Sequence, residues 1–215
     1  MKNIPVYISA EDPVTKAIIE RLLNFCSTNF KVFKEVPARG SEIKNKIPTL
    51  NRLAKIMPVI LLTDLDTTAC APKLKQELLN GEVQSANFLI NIAIDEGEAW
   101  LMADRKGFAR YIGVDETIIP QTSMQKMGGM KKVKEMTFDI KSSWMLTHQI
   151  INKAKNAELR EQISATGKAT KGKEYNSAIL PFIKNVWNIQ EAMTNSDSLT
   201  RMVNRLRKLA DSYTD

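Results

Sequence analysis

The strongest constraint on this chain is a repeated alternation in its first 119 residues. Short apolar, β-branched runs alternate there with stripes of helical period. Residues 4–9 (I-P-V-Y-I-S), 57–62 (M-P-V-I-L-L) and 87–94 (N-F-L-I-N-I-A-I) have the length of strands. The middle run is apolar at every position, as expected of a strand covered on both faces. Residues 30–36 read as a further strand. Between the first two runs, Asp12-Pro13 supplies a cap and a first-turn proline. Val14, Ile18, Leu22 and Phe25 then recur at helical spacing, with Ala17 and Leu23 beside them. Gly40-Ser41 is expected to open a second helix carrying Ile43, Ile47, Leu50 and Ala54, with Pro48 kinking or dividing it. Thr67-Thr68 is expected to cap a third helix that ends at Gly81, and a fourth is expected to begin at Trp100 and close at Gly113. Strand–helix alternation of this kind predicts an α/β fold with a mostly parallel sheet flanked by helices.

From residue 117 to residue 129 the pattern lapses into a loop marked by Pro120 and Gly128-Gly129. Beyond it the chain reads as helical over 137–157, 174–186 and 195–212, with a Lys- and Gly-bearing loop at 166–173. The expected organisation is therefore an α/β domain over 1–119 and a basic, mainly helical part over 120–215. Charge divides at the same place. The net charge of +7 falls wholly in the second part, since residues 1–119 balance 15 Lys and Arg against 15 Asp and Glu. A clustered basic surface suits a polyanion such as nucleic acid, and equally a well-solvated helical face.

Several classes are excluded. The longest apolar runs are too short to cross a bilayer. The start (M-K-N-I-P-V-Y) runs straight into a strand with no apolar leader, so the expected location is cytoplasmic. Two cysteines, Cys26 and Cys70, cannot make a disulfide framework, and a single histidine, His148, rules out a multi-His metal site.

The chemistry lies in acids at strand ends. Glu11 follows the first strand, Asp64 and Asp66 the third, and Glu96 and Glu98 the fourth. In a parallel sheet these positions share the carboxyl edge, where ligands bind. Clustered carboxylates repel one another without a cation, and an all-oxygen set suits Mg²⁺ or Mn²⁺. Taken singly, each acid could serve only to cap a helix or favour its N-terminus.

With those residues in view, the order of Glu, Asp-x-Asp and a later Glu resembles a TOPRIM domain. That domain is the metal-dependent catalytic module of topoisomerases, primases and overcoming-lysogenization-defect nucleases. E-G-E-A-W-L-M-A-D at 96–104 is similar to the E-x-E-[AS]-W-L-L-A-D signature of an uncharacterised TOPRIM-like family. The likeness extends to L-T-D-L-D (62–66), C-A-P (70–72), G-K-E-Y-N (172–176), F-I-x-x-x-W (182–187) and S-L (198–199). It differs directly after Glu11, where Asp12-Pro13 stands in place of the usual glycine. The resemblance implies Glu11 as general acid/base and as a metal ligand, and Asp64 with Asp66 as the metal pair. Glu98 completes the catalytic set and Glu96 is a further metal ligand. It also implies a Mg²⁺- or Mn²⁺-dependent nuclease or related phosphoryl-transfer enzyme acting on DNA or RNA, in phage defence beside an ATPase partner. The alternative is a TOPRIM-shaped subunit that binds nucleic acid or an ATPase without catalysis.

Lys131, Lys132, Lys168, Lys171, Lys173 and Tyr175 are the expected nucleic-acid contacts. The A-T-G-K-A-T-K-G-K string lacks both the spacing and the preceding strand of a nucleotide-binding P-loop. Arg201, Arg205 and Lys208 form a stripe at i, i+4 and i+7 that could face phosphate or water. His148, Trp100, Trp144 and Trp187 lie in apolar helical contexts and read as packing residues.

Overall fold

The structure, a computed structural model, describes residues 3–38, 42–126 and 132–213. Gly40, Ser41, Gly128, Gly129 and Lys131 lie outside the described residues. Four strands, β1 (Ile4–Ser9), β2 (Phe30–Glu35), β3 (Val59–Asp64) and β4 (Phe88–Ala93), form one parallel sheet in the order β2-β1-β3-β4. The expected α/β class is what the chain adopts. β3 is the central span: Val59 through Leu62 are fully buried, which accounts for the unbroken apolar run. It pairs with β4 residue for residue, from Val59 with Phe88 to Asp64 with Ala93. Asn91 interrupts the apolar run of β4 yet is 1% exposed. Its amide nitrogen donates to Leu61 O and Leu89 O (both 3.2 Å), and its oxygen accepts from Arg205 Nη1 (3.2 Å).

Helix α1 (Pro13–Cys26) starts as the sequence predicts, with Asp12 Oδ1 accepting from Thr15 N at 2.8 Å and Pro13 at the first helical position. α2 (Glu42–Leu53) runs through Pro48 without dividing. α3 (Ala71–Leu79) begins later than Thr67-Thr68 would place it. The chain first turns through Asp66 at φ 50, and the helix starts at Cys70-Ala71-Pro72, where a proline in the first turn removes a donor that has no partner anyway.

By contact the chain divides elsewhere than at 119/120. One compact unit comprises residues 1–93 with 201–215, the other residues 94–200. The physical reason is that most of α10 (Asp197–Asp211) packs with the sheet and with the end of the first helix, at Cys26: Arg205 Nη1 reaches Ile90 O at 3.1 Å, and Cys26 Sγ approaches Val203 O at 3.7 Å.

In the second unit the single helix expected from Trp100 to Gly113 is two, α4 (Gly97–Met102) and α5 (Arg105–Ile112), because Asp104 caps a new start; Gly113 closes the second at φ 76 as expected. The region expected to be a loop contains β5 (Thr122–Lys126), paired antiparallel with β6 (Lys132–Met136). These strands lack an apolar alternation; β6 is held instead by buried Glu135, which accepts from Ser198 N (2.6 Å) and Ser196 Oγ (2.7 Å). The expected 137–157 helix is shorter and broken. α6 (Ser142–Met145) passes into a π turn over Leu146–Ile150 and a 3₁₀ turn over Ile151–Lys153 before α7 (Ala157–Ile163), which Asn156 caps. α8 (Tyr175–Pro181) likewise continues as a π turn over Phe182–Val186, and α9 (Ile189–Asn195) follows. Trp100 Nε1 donates to Ser198 Oγ at 2.8 Å, so this fully buried indole belongs to the same hydrogen-bonded network as Glu135. Among the described residues no helix is long and apolar enough to cross a membrane.

Asp104, the last residue of the tryptophan-bearing signature, is 2% exposed and accepts from Gly107 N (3.1 Å) and Asn188 N (2.8 Å). Asp104→Ala leaves both backbone donors without that acceptor. It should lower unfolding free energy by about 2–4 kcal/mol in urea titrations, since both a cap and a buried bond are lost.

Candidate active site

In the first unit, parallel pairing brings the carboxyl ends of β1 and β3 side by side. Glu11 lies two residues past β1, Asp64 ends β3, and Asp66 follows two residues later. All three line one cleft of about 240 Å³, together with Thr63, Lys44 of α2 and Glu77 of α3. Asp64 and Asp66 reach the same cleft through a turn rather than through strand pleating. Leu65 N donates to Ala93 O (2.9 Å), the Leu65 side chain is buried, and Asp66 adopts the left-handed conformation that Asp tolerates better than most residues. Glu11 Oε1 accepts from the Thr63 hydroxyl, which fixes the orientation of the carboxyl. Burial pushes the Glu11 carboxyl above its usual pKa. The bonds from Thr63 and the Asp64 backbone oppose that rise, and the charges of Asp66 and Asp12 add to it.

The donor set around this cleft is all oxygen, which matches hard divalent cations in kind. Among the described residues no three His, Cys, Asp or Glu side chains form a ready-made cage for an ion. Mg²⁺ commonly takes only one or two carboxylates and completes its shell with water and substrate phosphate.

In the second unit the acids at the start of α4 hold the chain around them. Glu96 sits at the cap position of α4 but makes no cap bond. Its Oε2 accepts from Ser143 N (2.8 Å) and Ser142 Oγ (3.3 Å), and Lys141 Nζ lies 3.6 Å from Oε1. Glu98, 4% exposed, accepts at Oε1 from Tyr175 OH and pairs with Lys171 Nζ, both at 2.9 Å. Lys171 also stands 4.9 Å from the centre of the Tyr175 ring. Asp95, at φ 68, accepts from Ser142 N at 2.9 Å. Burial raises its pKa to about 6, offset in part by the Ser142 bonds and reinforced by the charges of Glu96 and Glu98.

The expected nucleic-acid contacts therefore separate. Tyr175 is 2% exposed with its hydroxyl on Glu98, so it presents no ring to a solvent-borne base. Lys171 is partly covered and ion-paired, whereas Lys132, Lys168 and Lys173 are exposed. Trp187 is buried as expected. Trp144 is only half-buried, and His148 stacks against it with ring centres 4.1 Å apart. Sequence reasoning passed over Thr63, Asp95 and Ser142-Ser143. The first two were visible in L-T-D-L-D and D-E-G-E as polar neighbours of the chosen acids, but the serines carry no local signal. Neither a protein-family model, nor a curated protein, nor a solved structure matches the chain at a significant level.

Two outcomes test this description. Protonated Asp95 contributes stability that is complete below the ordinary aspartate pKa and is lost as pH rises through about 6. Asp95→Asn, which keeps the acceptor and tolerates the same backbone, should therefore raise stability at pH 7.5 by about 1–2 kcal/mol after allowance for partial exposure. In thermal melts the gain should shrink toward zero near pH 4. Gly172 is the second test. A Cβ there would stand 2.5–2.7 Å from the carbonyl oxygens of Gln162, Ile163 and Ser164. Gly172→Ala should displace the backbone that carries Lys171, reported by faster amide exchange over residues 170–175.

Proposed function

We propose that this chain is a divalent-metal-dependent enzyme that hydrolyses phosphodiester bonds in nucleic acid, with Glu11, Asp64 and Asp66 as its catalytic carboxylates. The observation that carries the reading is the convergence of these three acids on one cleft at the carboxyl edge of a parallel sheet. The TOPRIM-like order of the same acids in the sequence supports it. Asp64 and Asp66 would hold the cation. Such an ion, when bound, polarises the phosphodiester and neutralises the charge that develops on it. Glu11, held by Thr63 and raised in pKa by burial, keeps its proton at higher pH than an exposed glutamate, which suits it to proton transfer. Lys132, Lys168 and Lys173 carry the exposed positive charge that a phosphate backbone requires. We place the protein in a reducing cytoplasm on its two free cysteines, and an ATPase partner follows from the family resemblance alone.

One observation favours the non-catalytic alternative, a nucleic-acid- or ATPase-binding subunit. Glu96 and Glu98 are already engaged by Lys141, Lys171, Tyr175 and backbone, so they serve the fold whether or not the cleft is active.

Asp64→Asn separates the two. It keeps size and hydrogen-bonding capacity but removes the charge that attracts the cation. Cleavage of nucleic acid in Mg²⁺ or Mn²⁺ should fall by about two orders of magnitude or more, the loss of some 3 kcal/mol of transition-state stabilisation. The metal-free melting temperature should hold or rise, because like charges have been thinned. Calorimetry that finds no Mg²⁺ or Mn²⁺ binding by the native protein in the millimolar range would sink the enzymatic reading.

A further inference from the structure

The Arg201–Arg205–Lys208 stripe is not used by the carboxylate cleft, and the fold gives two of its members a common target. Arg205 and Lys208 of α10 and Lys75 of α3 line one concavity of about 340 Å³ beside the start of β4. Among the described residues no acidic side chain lines it, and Ala86, Leu89 and Leu209 supply apolar wall. Arg205 is anchored: its Nη1 donates to Ile90 O (3.1 Å) and Asn91 Oδ1 (3.2 Å), while Nη2 and Nε make no hydrogen bond among the described residues. Neither Lys75 nor Lys208 has a carboxylate partner among the described residues. Burial, and then the charge of Arg205, lower the pKa of Lys75, so this cation is held where it is not solvated in full. Three cationic groups around a half-enclosed hollow repel one another until an anion enters. A planar guanidinium with a free edge, flanked by two ammonium groups, suits a phosphate.

We propose that this hollow binds a nucleotide-type organic phosphate, its phosphomonoester between Lys75, Arg205 and Lys208 and its flat body against Ala86, Leu89 and Leu209. The volume lies at the small end of ligand pockets, which suits one nucleotide rather than a duplex. The site is distinct from the carboxylate cleft. Leu89 is level with Ile60, four residues before Asp64, so the two lie about 13 Å apart along the strands at ~3.3 Å per residue. The proposal stands whether or not the carboxylates cleave nucleic acid.

The same phosphomonoester occurs on a free mononucleotide and at the 5′ end of a strand, so both serve as probes of the full chain. Adenosine 5′-monophosphate and a 5′-phosphorylated oligonucleotide are titrated by calorimetry against the native protein, Lys75→Ala/Lys208→Ala and Lys34→Ala/Lys73→Ala. The last pair removes the same charge from exposed sites outside the hollow. Among the described residues neither Lys75 nor Lys208 makes a side-chain hydrogen bond, so their replacement should leave the melting temperature unchanged. The expected result is binding of at least one probe that weakens tenfold or more in Lys75→Ala/Lys208→Ala and less than twofold in the control. Whichever probe shows this dependence identifies the source. Adenosine, or the oligonucleotide without its 5′ phosphate, should fail to compete. The proposal is overturned if neither probe binds at about 10 mM, weaker than any specific site worth the name. It is equally overturned if both double variants weaken binding alike, or if adenosine binds as well as its monophosphate.

Discussion

β3 is covered on both faces from Val59 through Leu62, and that burial sets where polar chemistry can stand in the first unit. A strand with no solvent face has room for charge only at its ends. Asp64 is therefore the first acid the strand can carry, at the point where it leaves the sheet. Because β1 runs parallel beside it, Glu11 leaves the sheet at the same edge, and Thr63 turns its hydroxyl onto the Glu11 carboxyl. The one polar side chain inside β4, Asn91, shows the same rule from the other side. It stays buried only because two carbonyl oxygens and Arg205 satisfy its amide.

In the second unit acids do a different job. Asp95, Glu96, Glu98 and Glu135 each bind backbone, hydroxyl or ammonium groups from segments distant in the chain. Glu98 ties down the 166–173 loop through Lys171 and the start of α8 through Tyr175. Removing one member of a buried charged pair typically costs about 3–5 kcal/mol, and the partial exposure of Lys171 puts this pair toward the low end. A unit made of short helices and one small hairpin has few long apolar faces to pack. Hydrogen-bonded acids take over part of the task that continuous burial performs in the sheet.

The tryptophan-bearing segment concentrates this second role. Within E-G-E-A-W-L-M-A-D, Trp100 donates to Ser198, Glu98 holds Lys171 and Tyr175, and Asp104 caps α5 while binding Asn188. A string that reads as a functional signature is also a set of fold contacts. The cleft lined by Glu11, Asp64 and Asp66 is built from other residues, so substitutions can address the two places separately.

Elements defined by local chemistry were legible in the residues themselves. The all-apolar run of β3, the Asp12-Pro13 start of α1 and the Gly113 stop of α5 follow from burial period, capping and left-handed backbone, all of which act within a few residues. The clustering of Glu11 with Asp64 and Asp66 was legible too, because parallel strands put their carboxyl ends together. Whatever depended on a distant partner was decided only by the tertiary structure. The β5–β6 hairpin has no apolar alternation and is held by Glu135 through Ser196 and Ser198, about sixty residues on. The late start of α3 follows from the turn at Asp66, where Leu65 bonds to the end of β4. Tyr175, an expected nucleic-acid contact at the start of a helix just after the basic loop, is buried, and Glu98, 77 residues earlier, accepts its hydroxyl. Local sequence sets backbone preference and burial period; the pairing of a charge with its partner is a property of the folded chain alone.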